Sequence, residues 1–353
     1  MDPYYLIAAV VGLGVLIFVH ELGHFLVAKY AGVGVERFSV GFGPRILART
    51  YGETEYRISA IPLGGYVKLV GETPEDTEAV VSNSFTAQSV WVRLAIVVAG
   101  PGFNVLMAIL IYSTIYMIGV PRVPAIVGEV LPETPAMRAG FVAGDKIISI
   151  DGRPIELWYE LKQVVTKSAG KELSAVVDRE GRHLTLLVVP KLTQDKNIFG
   201  ESIQEGRMGI RASDARIYKS YPPHLALWKG TVRTADLTRL TVLSVIKLIQ
   251  GTIPVKSIGG PIMIVQMTGE QAKGGFFSYI SFIALLSINL AILNLLPIPI
   301  LDGGHIFFLA AEVVTGRPMS VRWREVAQQV GLVLIISLML FAILNDLSRI
   351  VMR

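Results

Sequence analysis

The stretch Phe18-Val19-His20-Glu21-Leu22-Gly23-His24-Phe25 sets two histidines four residues apart, with an acid beside the first. Residues 4–28 around it carry no other charge. They are long enough for a helix that crosses a bilayer, which takes about 20 residues. On a helix, positions four apart share a face, so His20 and His24 can offer two imidazoles to one metal ion. Glu21 lies next to them and can serve as general base toward a water activated by that metal. An ionisable group at bilayer depth costs about 3 kcal/mol, so a cluster of three reads as function rather than packing.

The rest of the chain agrees with a membrane setting. Of 353 residues, 52% are hydrophobic and 17% charged, and the mean hydropathy is +0.54. That is too apolar for an ordinary soluble protein and predicts a polytopic membrane protein. Three further stretches are long enough to span, at 94–120, 275–301 and 327–344. The start, Met1-Asp2-Pro3-Tyr4-Tyr5, lacks the basic region of a cleaved signal peptide, so the first apolar stretch is expected to remain. Cysteine is absent, which leaves histidine and carboxylates as metal ligands. The net charge of +5 suits anchoring and orientation in a lipid membrane, and no nucleic-acid motif accompanies it.

A catalytic zinc wants three protein ligands, with the fourth position left for water. No third ligand lies near His20 and His24 in sequence. The candidate sits at the end of the third span, in Asn294-Leu-Leu-Pro297-Ile-Pro299-Ile-Leu301-Asp302-Gly303-Gly304-His305. Asp302 is the acid of that segment and a suitable oxygen ligand; His305 is the competing choice. Pro297 and Pro299 cannot continue a regular helix, so they are expected to break the span near the metal and leave backbone lining a cavity. Asn289 and Asn294 are amides in an apolar run. They read either as donors to an unwound substrate or as hydrogen-bonding glue between helices.

Between the first two spans, the segments 37–44 and 55–69 alternate like half-buried strands, with Gly64-Gly65 as a turn or bulge. They form either a sheet whose edge, at Gly64, Gly65 and Tyr66, accepts an extended substrate, or a self-contained hairpin. Residues 122–192 predict a compact α/β module with strands at 125–130, 146–150, 173–177 and 184–189. Residues 222–250 mix apolar and cationic side chains, including Trp228, Lys229 and Arg233. That mixture fits a helix on the membrane surface or an ordinary connecting helix. Lys29, Arg37, Arg45, Arg49, Arg57 and Lys68 in the first connection, with Arg317, Arg322 and Arg324 in the third, place both connections in the cytoplasm by the positive-inside rule. Both termini and the central module then lie outside. Arg349 and Arg353 at the C-terminal end argue weakly the other way.

His20-Glu21-Leu-Gly-His24 on one span and the Asn294–His305 segment on another resemble the site-2 protease family, in particular its bacterial RseP-type members. Gly41-Phe-Gly43-Pro44, Gly64-Gly-Tyr66-Val-Lys68 and Ala99-Gly-Pro101-Gly-Phe-Asn104 fit the same pattern. The resemblance covers nearly the whole chain. It implies four transmembrane helices, a membrane-associated β-hairpin or sheet, and an intramembrane zinc metalloprotease of the bacterial inner membrane. It assigns zinc to His20, His24 and Asp302, and catalysis to Glu21. It also implies that Asn294 contacts the substrate backbone. Gly100, Pro101 and Asn104 are expected to allow close helix packing beside the site.

The run 135–152 resembles a PDZ domain of the bacterial protease type, present here once where some relatives carry two in tandem. The expected division is a first membrane half at 1–120, the PDZ domain at 121–192, an extracytoplasmic connector at 193–273 and a second membrane half at 274–353. Expected substrates are single-span membrane proteins, such as an anti-sigma factor already shortened outside, or remnant signal peptides. The PDZ ligand would be a substrate C-terminus. Two other classes compete: a catalytically silent PDZ scaffold in the membrane, which would have lost part of the metal motif, and a metal transporter, which would show acids along several spans or an inverted repeat.

Overall fold

The computed structural model describes residues 2–72, 82–197 and 199–351, without the side chains of Pro62 and Leu63; Arg353 therefore lies outside the described residues. The chain divides into two compact units: 2–114 with 224–246 and 254–351, and 115–223 with 247–253.

In the first unit, the four apolar stretches are helices long and apolar enough to cross a membrane. They are α1 (Pro3–Tyr30), α2 (Val90–Ile118), α7 (Phe276–Asn294) and α9 (Val321–Val351). Helix α1 starts where the Asp2 side chain accepts the Tyr4 N–H at 3.0 Å, with Pro3 at its first turn. The third span is shorter than expected. It stops at Asn294, because the prolines that follow cannot extend it. A new helix, α8 (Asp302–Thr315), begins with Asp302.

Small residues let these helices approach. Gly23 of α1 faces the backbone of Ala99 in α2, and a Cβ there would lie 2.4 Å from the Ala99 carbonyl oxygen. Tyr279 of α7 donates to the Ala8 carbonyl at 2.8 Å. Ser287 of α7 donates to the Asn104 carbonyl at 2.8 Å. Helix α6 (Pro261–Lys273), placed in the connector by sequence, belongs to this unit. Its Gly269 packs on the Tyr5 ring, and Lys273 pairs with Asp2 at 2.9 Å. The cation-bearing stretch 222–250 is one helix, α5 (Pro223–Ile249), whose Gly230 sits against Ser113 of α2.

Two long antiparallel strands, β1 (Val35–Tyr51) and β2 (Thr54–Leu69), follow α1. Their pairing doubles back. Residues 37–40 face Lys68, Val67, Tyr66 and Gly65 on one side and Glu55, Tyr56, Arg57 and Ile58 on the other. Residues 47–51 then pair with 58–54. Each strand is thus folded near its middle. Gly41 makes the bend in β1: its φ of 94° suits glycine alone, and a Cβ would lie 2.8 Å from the Ser59 carbonyl oxygen. The run 65–69 is paired along one side only among the described residues, so it is an edge.

The second unit holds β3 (Val120–Arg122), β4 (Val127–Val130), α3 (Pro135–Arg138), β5 (Lys146–Ile150), β6 (Arg153–Pro154), α4 (Trp158–Thr166), β7 (Leu173–Arg179) and β8 (Arg182–Val188). Strands β6, β5, β7 and β8 form one antiparallel sheet in that order. The module does not end at residue 192. It continues through β9 (Lys191–Lys196), β10 (Ser202–Arg207), β11 (Ile210–Ala212) and β12 (Ile217–Lys219). Strand β11 pairs with β4 and β12 with β3, while Met208 is buried in the same core as Ile147, Ile150 and Val177. These late strands are short and polar, with no alternation long enough to mark them in the sequence.

Candidate metal centre

Helix α1 carries His20 and His24 one turn apart, and their Nε2 atoms lie 3.2 Å from each other. Asp302 reaches them from the first residue of α8, with Oδ2 3.2 Å from His20 Nε2 and Oδ1 3.6 Å from His24 Nε2. The turn between α7 and α8 sets that position. Within it the Ile298 N–H donates to Leu296 at 2.7 Å and the Leu301 N–H to Ile298 at 2.9 Å. Gly303 and Gly304 press onto this turn, where added Cβ atoms would lie 2.1 Å from the Leu296 carbonyl oxygen and 2.4 Å from that of Ile298. Pro297 and Pro299 lie in the break between α7 and α8, and α8 restarts with its carboxylate turned to the histidines.

The three groups suit zinc. Ligand atoms about 2.0–2.1 Å from a tetrahedral ion stand about 3.4 Å from each other, close to the three separations observed. Among the described residues these three form the one cluster of histidines and acids with ligand atoms within 4.8 Å of each other, and His305 is outside it. Oδ2 of Asp302 is buried and makes no hydrogen bond, although it is 3.2 Å from His20 Nε2. A buried carboxylate oxygen left in this way suits a bound cation. His24 Nδ1 donates to the Ile96 carbonyl of α2 at 2.8 Å, which leaves Nε2 with its lone pair toward the cluster.

Other predicted residues divide clearly. Glu21 sits on α1 beside the edge run of β2, and a Cβ on Gly65 would lie 3.1 Å from Glu21 Cγ. Gly64 lies against the Phe42 ring. Tyr66 stacks on Phe42 at 6.1 Å and accepts hydrogen bonds from Arg57 and Arg37. Asn294 joins the cluster, with its amide nitrogen 3.1 Å from His20 Nε2. Asn289 does not: its oxygen accepts from Thr241 of α5 at 2.9 Å, so it ties two helices together.

Two features escaped the sequence reading. Asn104, expected as a packing residue, places its amide 3.2 Å from His20 Nδ1. Arg93 of α2 makes a two-pronged bond with Glu312 of α8. An asparagine inside an apolar span was the available signal for the first.

A bundle of membrane-length helices with a two-histidine, one-carboxylate centre defines a membrane-embedded metallopeptidase. The profile of Peptidase family M50 matches residues 8–338, and the chain belongs to that family, which includes the site-2 proteases. A Brucella suis protein named as a zinc metalloprotease is 35% identical across 95% of this chain and 93% of its own length. One of Campylobacter jejuni with the same designation is 35% identical across 98% of this chain and 94% of its own. The regulator of sigma-E protease RseP of Salmonella typhimurium is 33% identical across 98% of each chain. That last alignment runs over 448 positions against 353 residues here, so the Salmonella protein carries a domain's worth of residues that this chain lacks. The protein is a zinc metalloprotease of regulated intramembrane proteolysis, and neither the scaffold nor the transporter alternative stands.

Proposed function

We propose that the protein cuts single-span membrane proteins within their transmembrane segments, with zinc held by His20, His24 and Asp302 and with Glu21 as the general base. The observation that carries this is the triangle of two imidazole nitrogens and a carboxylate beside an open strand edge. When bound, zinc supplies a Lewis acid that lowers the pKa of water and polarises the scissile carbonyl. Glu21 takes a proton from the attacking water and passes it to the leaving amine nitrogen, so that the C–N bond breaks to an amine and an acid. The substrate, unwound, adds to the edge 65–69 as a further strand, gaining main-chain hydrogen bonds without a sequence requirement. Asn294 holds its backbone against the site, and Pro297 and Pro299 keep the adjoining segment open.

The module in the second unit is proposed to be a single PDZ domain. A groove between α4 and the run ending in β11, lined by Leu161, Val165, Met208 and Ile210, supports this. Its ligand would be the C-terminus of a substrate already shortened outside. Orientation follows the cations of the first and third connections, with both termini and this module outside the inner membrane. An anti-sigma factor trimmed by a first protease, or a remnant signal peptide, fits these requirements.

The experiment uses the full chain in proteoliposomes with a single-span substrate, intact or trimmed outside, and locates the cut by mass spectrometry. A cut within the span, at least tenfold faster for the trimmed form, is expected. Cleavage restricted to soluble peptides would overturn the proposal, and equal rates on both forms would remove prior trimming from it.

A further inference from the structure

Helix α2 contributes no ligand, yet it meets both histidines, and through Ile96 and Asn104 it faces the Nδ1 nitrogen of each. Ile96 and Asn104 lie on the face of α2 turned to α1, with Gly100 between them. At Gly100 a Cβ would stand 2.2 Å from His24 Nε2 and 2.9 Å from His20 Cε1. The Ile96 carbonyl takes the Nδ1 proton of His24 at 2.8 Å. Asn104 is fully buried and its amide faces His20 Nδ1 at 3.2 Å. With the amide nitrogen forward, its oxygen is buried with no partner. Turning the amide over gives that oxygen the His20 N–H, and the ring then has a proton on Nδ1 and a free pair on Nε2. Ser287 of α7 donates to the main-chain carbonyl of Asn104 at 2.8 Å and fixes the residue along the helix.

We propose that Asn104 is the positioning residue of His20: its side-chain oxygen accepts the Nδ1 proton and so fixes the tautomer and ring angle that present Nε2 to zinc. The Ile96 carbonyl does the same for His24. The inference rests on the reading of His20, His24 and Asp302 as the zinc ligands. It explains why a polar amide is kept inside a span that otherwise has no hydrogen-bonding need for it. A residue that only packed helices together would need shape, whereas this one needs a hydrogen-bond acceptor at a fixed place. Outer partners of metal-bound histidines change affinity by about 10–100-fold.

The test compares zinc affinity of the full-length protein in detergent, by competition with a chelating dye, for wild type, Asn104→Leu and Asn104→Asp. Leucine keeps the volume and removes the acceptor; aspartate keeps the acceptor. The expected result is a loss of about 10–100-fold for leucine and wild-type affinity or better for aspartate. Recovery of zinc affinity by aspartate but not by leucine is the readout that a packing role would not give. Equal zinc affinity of wild type and Asn104→Leu would overturn the inference, as would a folded Asn104→Asp as weak as leucine. If the leucine variant does not fold, Asn104→Ala decides by the same comparison. Wild type that takes up no zinc would instead sink the ligand assignment, so the two failures are separable.

Discussion

The guanidinium of Arg93 grips the carboxylate of Glu312 with two hydrogen bonds of 3.1 and 2.5 Å. Both side chains are largely buried, and Arg93 Nε also donates to the Gln88 carbonyl at 3.1 Å. The pair ties the start of α2 to the far end of α8, the helix that begins with Asp302. Removing one partner strands a buried charge, which costs about 3–5 kcal/mol. Arg93→Ala and Glu312→Ala should each lower unfolding stability in detergent by that order. Replacing both by apolar residues of similar size should restore much of it. Chemical unfolding of the four forms checks this, and additive losses in the double variant would contradict it.

Gly100 leaves room for two imidazole rings. A methyl group there would meet His24 Nε2 at 2.2 Å, and the ring is held from behind by Ile96. Gly100→Ala should therefore weaken zinc binding by at least about tenfold, the scale of outer-sphere changes. Zinc retained against a graded chelator series measures the effect. Unchanged retention would mean that α2 moves aside.

How much of this was legible in the sequence depends on the range of each interaction. The spans were readable because about 20 apolar residues are a local property. His20 and His24 were readable because helical spacing puts them on one face. Asp302 was readable as an acid beside prolines that break a span and was preferred there to His305, whereas the turn at 295–301 that carries it toward the histidines was not readable. Asn289 and Asn294 looked alike as amides in an apolar run. Only the packing separates them, since one faces Thr241 and the other His20. The partnership of Arg93 with Glu312 joins residues too distant for any pattern to connect. The late strands of the second unit are three to six residues long, too short for alternation to show.

Asp145 is the fully buried acid of the second unit. It accepts from Arg179 at 2.7 and 2.9 Å and from the Val142 N–H at 2.9 Å. Asp145→Ala removes these hydrogen bonds beside β5 and β7, although Arg179 keeps its bond to the Gly140 carbonyl and is partly exposed, and should cost about 2 kcal/mol. Hydrogen exchange should quicken in β5 and β7 while the membrane helices keep their protection. Global loss of protection would show that the two units do not unfold separately.

Zinc content and peptide-bond cleavage, measured together on purified wild type, Glu21→Gln and Asp302→Ala, address the central claim. One zinc per chain is predicted for wild type and for Glu21→Gln, with cleavage in the latter reduced about a hundredfold or more. Asp302→Ala should lose zinc and activity together. Full zinc affinity in Asp302→Ala, or undiminished cleavage by Glu21→Gln, would contradict the account.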